Sequence, residues 1–204
     1  MSSRHPLARR VLATTLLTAS AFALVEGAAP SPAEAYKLYY TTDGEAMLRW
    51  WRRDFQFHVA NVEPQEVPLS AVQGLTETAL AQWIDTTCGL VPTVSFGGMV
   101  TATRATTPTT ASADPDNVIV FIRKASDWVN FGNSSTWIAI TKIAHDPKSG
   151  EIVDADIEVN DGGYTFSIDG TPERDEVDFL SMLTHEAGHF FGMDHSLDKD
   201  ATMY

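Results

Sequence analysis

The chain has a single cysteine, Cys88, so it can form no internal disulfide. It is also short of cations: 14 lysines and arginines stand against 27 aspartates and glutamates, for a formal net charge of −13. That balance argues against a nucleic acid and an anionic membrane surface as partners. No run is apolar enough to span a bilayer. Val11 to Val25 comes nearest and falls short of the roughly 20 residues a span needs. With Arg4, Arg9 and Arg10 before it and Ala33-Glu34-Ala35 after it, that run instead reads as a secretory signal over residues 1–35, cleaved after Ala35. Gly27-Ala28-Ala29 is a competing cleavage site. No cysteine follows the signal closely enough to carry a lipid anchor, so the mature form is expected to be secreted and free of membrane. Without its three arginines and two glutamates the mature chain, 36–204, carries 11 basic and 25 acidic residues. That is one domain's length, enough for one sizeable core. Cys88, just before Gly89, reads as a small buried apolar residue.

The middle of the chain alternates between strand and helix patterns. Met47 to Asn61 reads as a strand with Phe55, Phe57 and Val59 inward and His58 outward and solvated. Trp50 and Trp51 read as core or domain-edge aromatics. Ser70 to Cys88 reads as a helix with Ser70 and Gln73 as a capping box and an apolar stripe through Val72, Leu75, Ala79, Leu80, Trp83 and Ile84. A strand over Val91 to Phe96 is expected to end at Gly97-Gly98, followed by a Thr/Ala/Ser-rich loop at 101–114 and a buried strand over Asn117 to Arg123. Trp137 to Ala144 and Glu151 to Asn160 read as a hairpin about the turn Asp146-Pro147-Lys148-Ser149-Gly150. In its second strand Asp154, Asp156, Glu158 and Asn160 alternate with Val153, Ala155, Ile157 and Val159. The ordinary reading of that polar row is a solvated face on an exposed edge strand. Hard oxygen groups in a row also suit calcium. Residues 162–174 read as a loop leading into the last helix.

That last helix carries the chemistry. His185-Glu186-Ala187-Gly188-His189-Phe190-Phe191-Gly192-Met193-Asp194-His195 fills every position of H-E-x-x-H-x-x-G-x-x-H. Two histidines four apart stand on one helix face and can reach one ion. A straight helix cannot bring a third, so the chain must turn, and Gly192 permits a left-handed turn. His185, His189 and His195 with one open position describe a catalytic zinc site. Glu186, beside the first ligand, is placed to act on water as general base without ligating the ion. Val177, Leu180, Leu183, Ala187 and Phe190 keep a helical period, with Asp175 or Thr171 as candidate caps.

The motif resembles that of the metzincin metallopeptidases. Ser196 after the third histidine is similar to the matrixin branch, the matrix metalloproteinase type. Ala201-Thr202-Met203-Tyr204 resembles the family's Met-turn, with Met203 as a hydrophobic floor beneath the metal. Gly150 to Glu158 resembles the strand that rims the matrixin cleft, as in bacterial-type members. Val153 stands near the place where vertebrate-type members carry a structural-zinc histidine. The sequence around Cys88 lacks the Pro-Arg pair that precedes the family's inhibitory cysteine. The resemblance implies an α+β, zincin-type catalytic domain: a twisted mixed β-sheet, an active-site helix and a second packing helix. It also implies a zinc endopeptidase acting on protein or peptide substrates laid along an edge strand. Family domains continue past the Met-turn with a pocket wall and a final helix, so the C-terminal part is expected to be missing after Tyr204. The competing reading is a secreted zinc-containing binding module without turnover. Substrate preference and oligomeric state are not readable from the residues.

Overall fold

The computed structural model describes residues 37–84, 93–102 and 116–204. The signal reading over 1–35, Cys88 and most of the loop at 101–114 lie outside the described residues. The elements run in the order β1 (Lys37–Leu38), β2 (Asp54–Ala60), α1 (Leu69–Ile84), β3 (Thr93–Val100), β4 (Asn117–Phe121), α2 (Ala125–Asn130), β5 (Ala139–His145) and β6 (Ile152–Val159). They continue with β7 (Thr165–Ser167), β8 (Glu176–Asp178), α3 (Phe179–Phe190) and β9 (Met193–Asp194). Five strands form one mixed sheet in the order β3-β2-β4-β6-β5. The first four are parallel, and β5 closes one edge antiparallel to β6. This is the expected α+β mixed sheet with the motif-bearing helix α3 and the packing helix α1, accompanied by the short α2.

Parallel strands covered on both faces read as continuous apolar runs. β4, Asn-Val-Ile-Val-Phe, is buried at all five positions. One sheet face carries Phe57, Val59, Phe121, Ile157 and Val159 against Val72, Ala79 and Leu80 of α1 and Phe179, Leu183 and Ala187 of α3. Trp83 ties the two helices by donating its indole N–H to the Thr184 carbonyl at 2.8 Å. The other face packs Ala60, Val118, Val120 and Ile122 against Trp128 of α2.

Several local expectations shift, each for a stated reason. His58 is 8 % exposed, not solvated, because β2 is an interior strand with both faces covered. β3 does not stop at Gly97-Gly98 but runs through both to Val100. A Cβ at Gly97 would collide with the His58 imidazole, so that glycine marks a close approach rather than a terminus. The pairing skips a residue there, between Phe57 and His58. α1 starts at Leu69, so Ser70 lies inside it, and Gln73 donates to Glu77 at 3.1 Å instead of reaching back. The first-turn donor of Ala71 goes to the Pro68 carbonyl.

β6 is the largest correction. It is an interior strand between β4 and β5, not an edge, and its polar row is buried. Asp154, Asp156, Glu158 and Asn160 are each at most 1 % exposed. Charges taken from water need donors. Asp156 accepts from the Val118 amide at 2.7 Å. Glu158 accepts from Lys142 Nζ at 2.7 Å and Asn133 Nδ2 at 2.9 Å.

α3 begins later than its apolar spacing suggests. β7 and β8 pair parallel, with Phe166 opposite Val177, and hold 176–178 extended. The cap is therefore Asp178, whose carboxylate accepts from the Ser181 amide at 2.7 Å, rather than Asp175 or Thr171. Asp178→Ala is expected to cost about 1 kcal/mol of stability. Thermal denaturation checks this, and Asp175→Ala and Thr171→Ala should leave the midpoint where it is.

Candidate metal centre and cleft

His185 and His189 project from α3 one turn apart, with Glu186 between them. The helix ends at Phe190 with Phe191 as its C-cap, and Gly192 then takes φ +88°. A side chain is excluded there twice over: by that dihedral and by the Leu48 carbonyl, 2.5 Å from where a Cβ would sit. The reversed chain forms β9, which pairs antiparallel with β1, and delivers His195 to the other two histidines. The ring centroids lie 4.8 Å (His185–His189), 5.2 Å (His185–His195) and 4.7 Å (His189–His195) apart. One ligand atom from each of the three lies within 4.8 Å of the others.

The hydrogen bonds decide which nitrogens face inward. His185 Nδ1 donates to the Thr202 carbonyl at 2.8 Å, and His189 Nδ1 donates to the Met193 carbonyl at 2.7 Å. A proton held at Nδ1 leaves the Nε2 lone pair free for a metal. His185 Nε2 and His195 Nε2 then face each other at 3.3 Å. Two zinc–nitrogen bonds of about 2.0–2.1 Å at a tetrahedral angle span about that same distance. With His195 also protonated at Nδ1, the two Nε2 lone pairs converge at a spacing that a cation between them would satisfy. The donor set therefore fits zinc. Burial lowers the His189 pKa to about 4, so that ring is neutral and a competent ligand at ordinary pH.

Below the histidines, Met203 is 2 % exposed and packs on the underside of α3. A Cβ at Gly188 would strike its sulfur, which accounts for the small residue inside the motif. The Ser196 amide donates to the Met203 carbonyl at 2.6 Å and closes the loop that holds Thr202 under His185.

Glu186 is 5 % exposed. Burial raises its pKa above the usual carboxylate range, against the opposing hydrogen bond from Thr141. Thr141 Oγ1 donates to Glu186 Oε2 at 2.6 Å, which leaves Oε1 turned to other partners. Tyr39 packs its ring 5.6 Å from that of His189, and burial with the nearby carboxylates of Asp194 and Glu186 pushes its phenol up to about 12. Neither Thr141 nor Tyr39 stands out in the sequence. Tyr39 arrives through the β1–β9 pairing, which joins residues more than 150 positions apart, and Thr141 is one polar residue in an edge strand.

A cleft of about 700 Å³ passes over this centre, between α3 (Met182, His185, Glu186) and the segment Trp137 to Thr141. The rim is thus β5 and the residues before it, not Gly150 to Glu158, which lie one strand further in. The family model for matrixin matches residues 49–204. No curated protein matches the chain.

Proposed function

Because the chain belongs to the matrixin family of zinc-dependent metallopeptidases, we propose that it is a secreted endopeptidase with His185, His189 and His195 as zinc ligands and Glu186 as general base. The observation that carries this is the convergence of three imidazoles whose Nδ1 protons are held by backbone carbonyls at two of the three positions. When bound, zinc supplies Lewis-acid chemistry, acidifying water and polarising a carbonyl. Glu186 takes a proton from the attacking water at Oε1 and passes it to the leaving amine. Its burial favours the protonated form and so brings its proton affinity nearer to what both transfers need. Thr141 holds the carboxylate by its other oxygen. An extended peptide lies along β5, whose outer edge has no strand neighbour among the described residues, and adds as a further strand. No helix among the described residues is long and apolar enough to cross a membrane. Asp156 and Glu158, two of the residues whose spacing suits calcium, accept instead from Val118, Asn133 and Lys142.

The test is hydrolysis of an unstructured protein substrate before and after chelation. Cleavage should cease with the chelator and return with one equivalent of zinc. Cleavage that persists without metal contradicts the reading. Zinc uptake without cleavage favours the non-catalytic binding module. Thr141→Val removes the hydroxyl that orients Glu186 and is expected to lower kcat by about 10-fold, with KM and zinc content unchanged. Steady-state kinetics on the metal-loaded variant check it.

A further inference from the structure

Outside the cleft, the segment Arg49-Trp50-Trp51-Arg52-Arg53 concentrates three of the chain's 14 cations in five residues, on a molecule of net charge −13. With Phe55 and Phe191 it lines a second concavity, of about 600 Å³, which shares no lining residue with the cleft. All three arginines are exposed, and Trp51 is 54 % exposed. Among the described residues none of the three arginines joins a salt bridge. An ordinary solvated surface of so acidic a chain would spread its cations among carboxylates. This patch gathers arginine and tryptophan, the residue types enriched where proteins bind partners.

The patch is anchored at both ends and at Trp50. The Arg49 amide donates to the Gly150 carbonyl, and the Ile152 amide donates to the Arg49 carbonyl. Trp50 is half buried, donates its indole N–H to the Phe190 carbonyl at 2.7 Å and packs on Phe55 at 4.8 Å. The Arg53 carbonyl accepts from Thr93. Arg52 is laid over the Trp50 ring, 5.8 Å from its centroid. The side chains around the concavity therefore project from a fixed frame, and little ordering is needed on binding.

These constraints select among anionic ligands. An acidic peptide adding as a strand needs free backbone groups, and those of Arg49 and the carbonyl of Arg53 are already engaged. A membrane anchor projects its indole outward, whereas Trp51 lines a depression, and the remaining negative charge repels anionic headgroups. A chain of sugar rings bearing sulfates or carboxylates meets the frame. Guanidinium forks take its anionic groups bidentately, and an exposed indole covers the apolar face of a ring. We propose that this concavity binds an acidic polysaccharide, with Arg49, Arg52 and Arg53 holding its anionic groups and a sugar ring stacked on Trp51.

The experiment measures binding of the full chain, in about 0.1 M salt, to heparin, polyglutamate and phosphatidylserine vesicles in parallel. The net charge opposes all three, so retention reports a local site. Saturable binding is expected to heparin, and weaker or none to the other two. The exposed pair Arg52→Ala/Arg53→Ala should weaken heparin binding by about 10-fold or more, and Trp51→Ala by about 5-fold. Lys148→Ala/Arg174→Ala, which removes the same charge from other exposed positions, should leave it unchanged. Absence of heparin binding overturns the assignment. So does an equal loss in the Lys148/Arg174 pair, full retention in Trp51→Ala, or tighter binding to polyglutamate or vesicles. Peptide hydrolysis is not the readout, so the outcome is independent of the peptidase reading.

Discussion

Glu186→Gln is expected to lower peptide hydrolysis by about 10²–10⁴-fold while one zinc stays bound per chain. Glutamine keeps the size of the side chain and its acceptor toward Thr141, so the cleft is undisturbed. It cannot take up the proton at Oε1. His185, His189 and His195 do not depend on Glu186 for their orientation. The first two are held by the carbonyls of Thr202 and Met193, and the third by the turn at Gly192. Metal analysis and kinetics on the same preparation separate the two roles. Loss of zinc in Glu186→Gln, or activity within a few-fold of the parent, removes the carboxylate from the mechanism.

Lys142→Met should be among the most destabilising single changes outside the core. Its ammonium is the cation at 2.7 Å from Glu158, whose side chain is fully buried. Deleting one partner of such a pair leaves a charge in a poorly solvated place and costs about 3–5 kcal/mol, against a typical total of about 5–15 kcal/mol. Asn133 remains as a donor and places the expectation at the lower end of that range. The double change Lys142→Met/Glu158→Gln removes the stranded charge and should recover much of the loss. Denaturant unfolding of the two variants checks this, and additivity of the separate single changes would show that the pair is not coupled.

How much of this was legible in the residues depends on how local each signal is. The zinc motif is written in eleven consecutive positions, and helix periodicity with one glycine turn suffices to bring its histidines together. The hairpin of β5 and β6 was legible for the same reason: two alternating runs flank a short turn. The position of a strand within a sheet is not local. Asp154, Asp156 and Glu158 alternate as an exposed edge strand would, yet β4 covers β6 on the other side, and protein donors meet the carboxylates of Asp156 and Glu158. His58 was misplaced by the same blindness. Its burial depends on β3 and β4 flanking β2, and on a glycine 39 positions away yielding space to its ring. The start of α3 turned on which of several acidic residues meets a free amide. Only the β7–β8 pairing selects Asp178. The cleft rim moved one strand outward because sheet order, not likeness of sequence, decides which strand lies beside α3.

The claim underlying all of this is a zinc ion held by three imidazoles. X-ray absorption at the zinc edge, on protein loaded with one equivalent, reads the ligand shell directly. The account requires three nitrogen scatterers of imidazole type at about 2.0–2.1 Å, falling to two in His195→Ala. A shell dominated by sulfur or carboxylate oxygen, or one unchanged in His195→Ala, would contradict it.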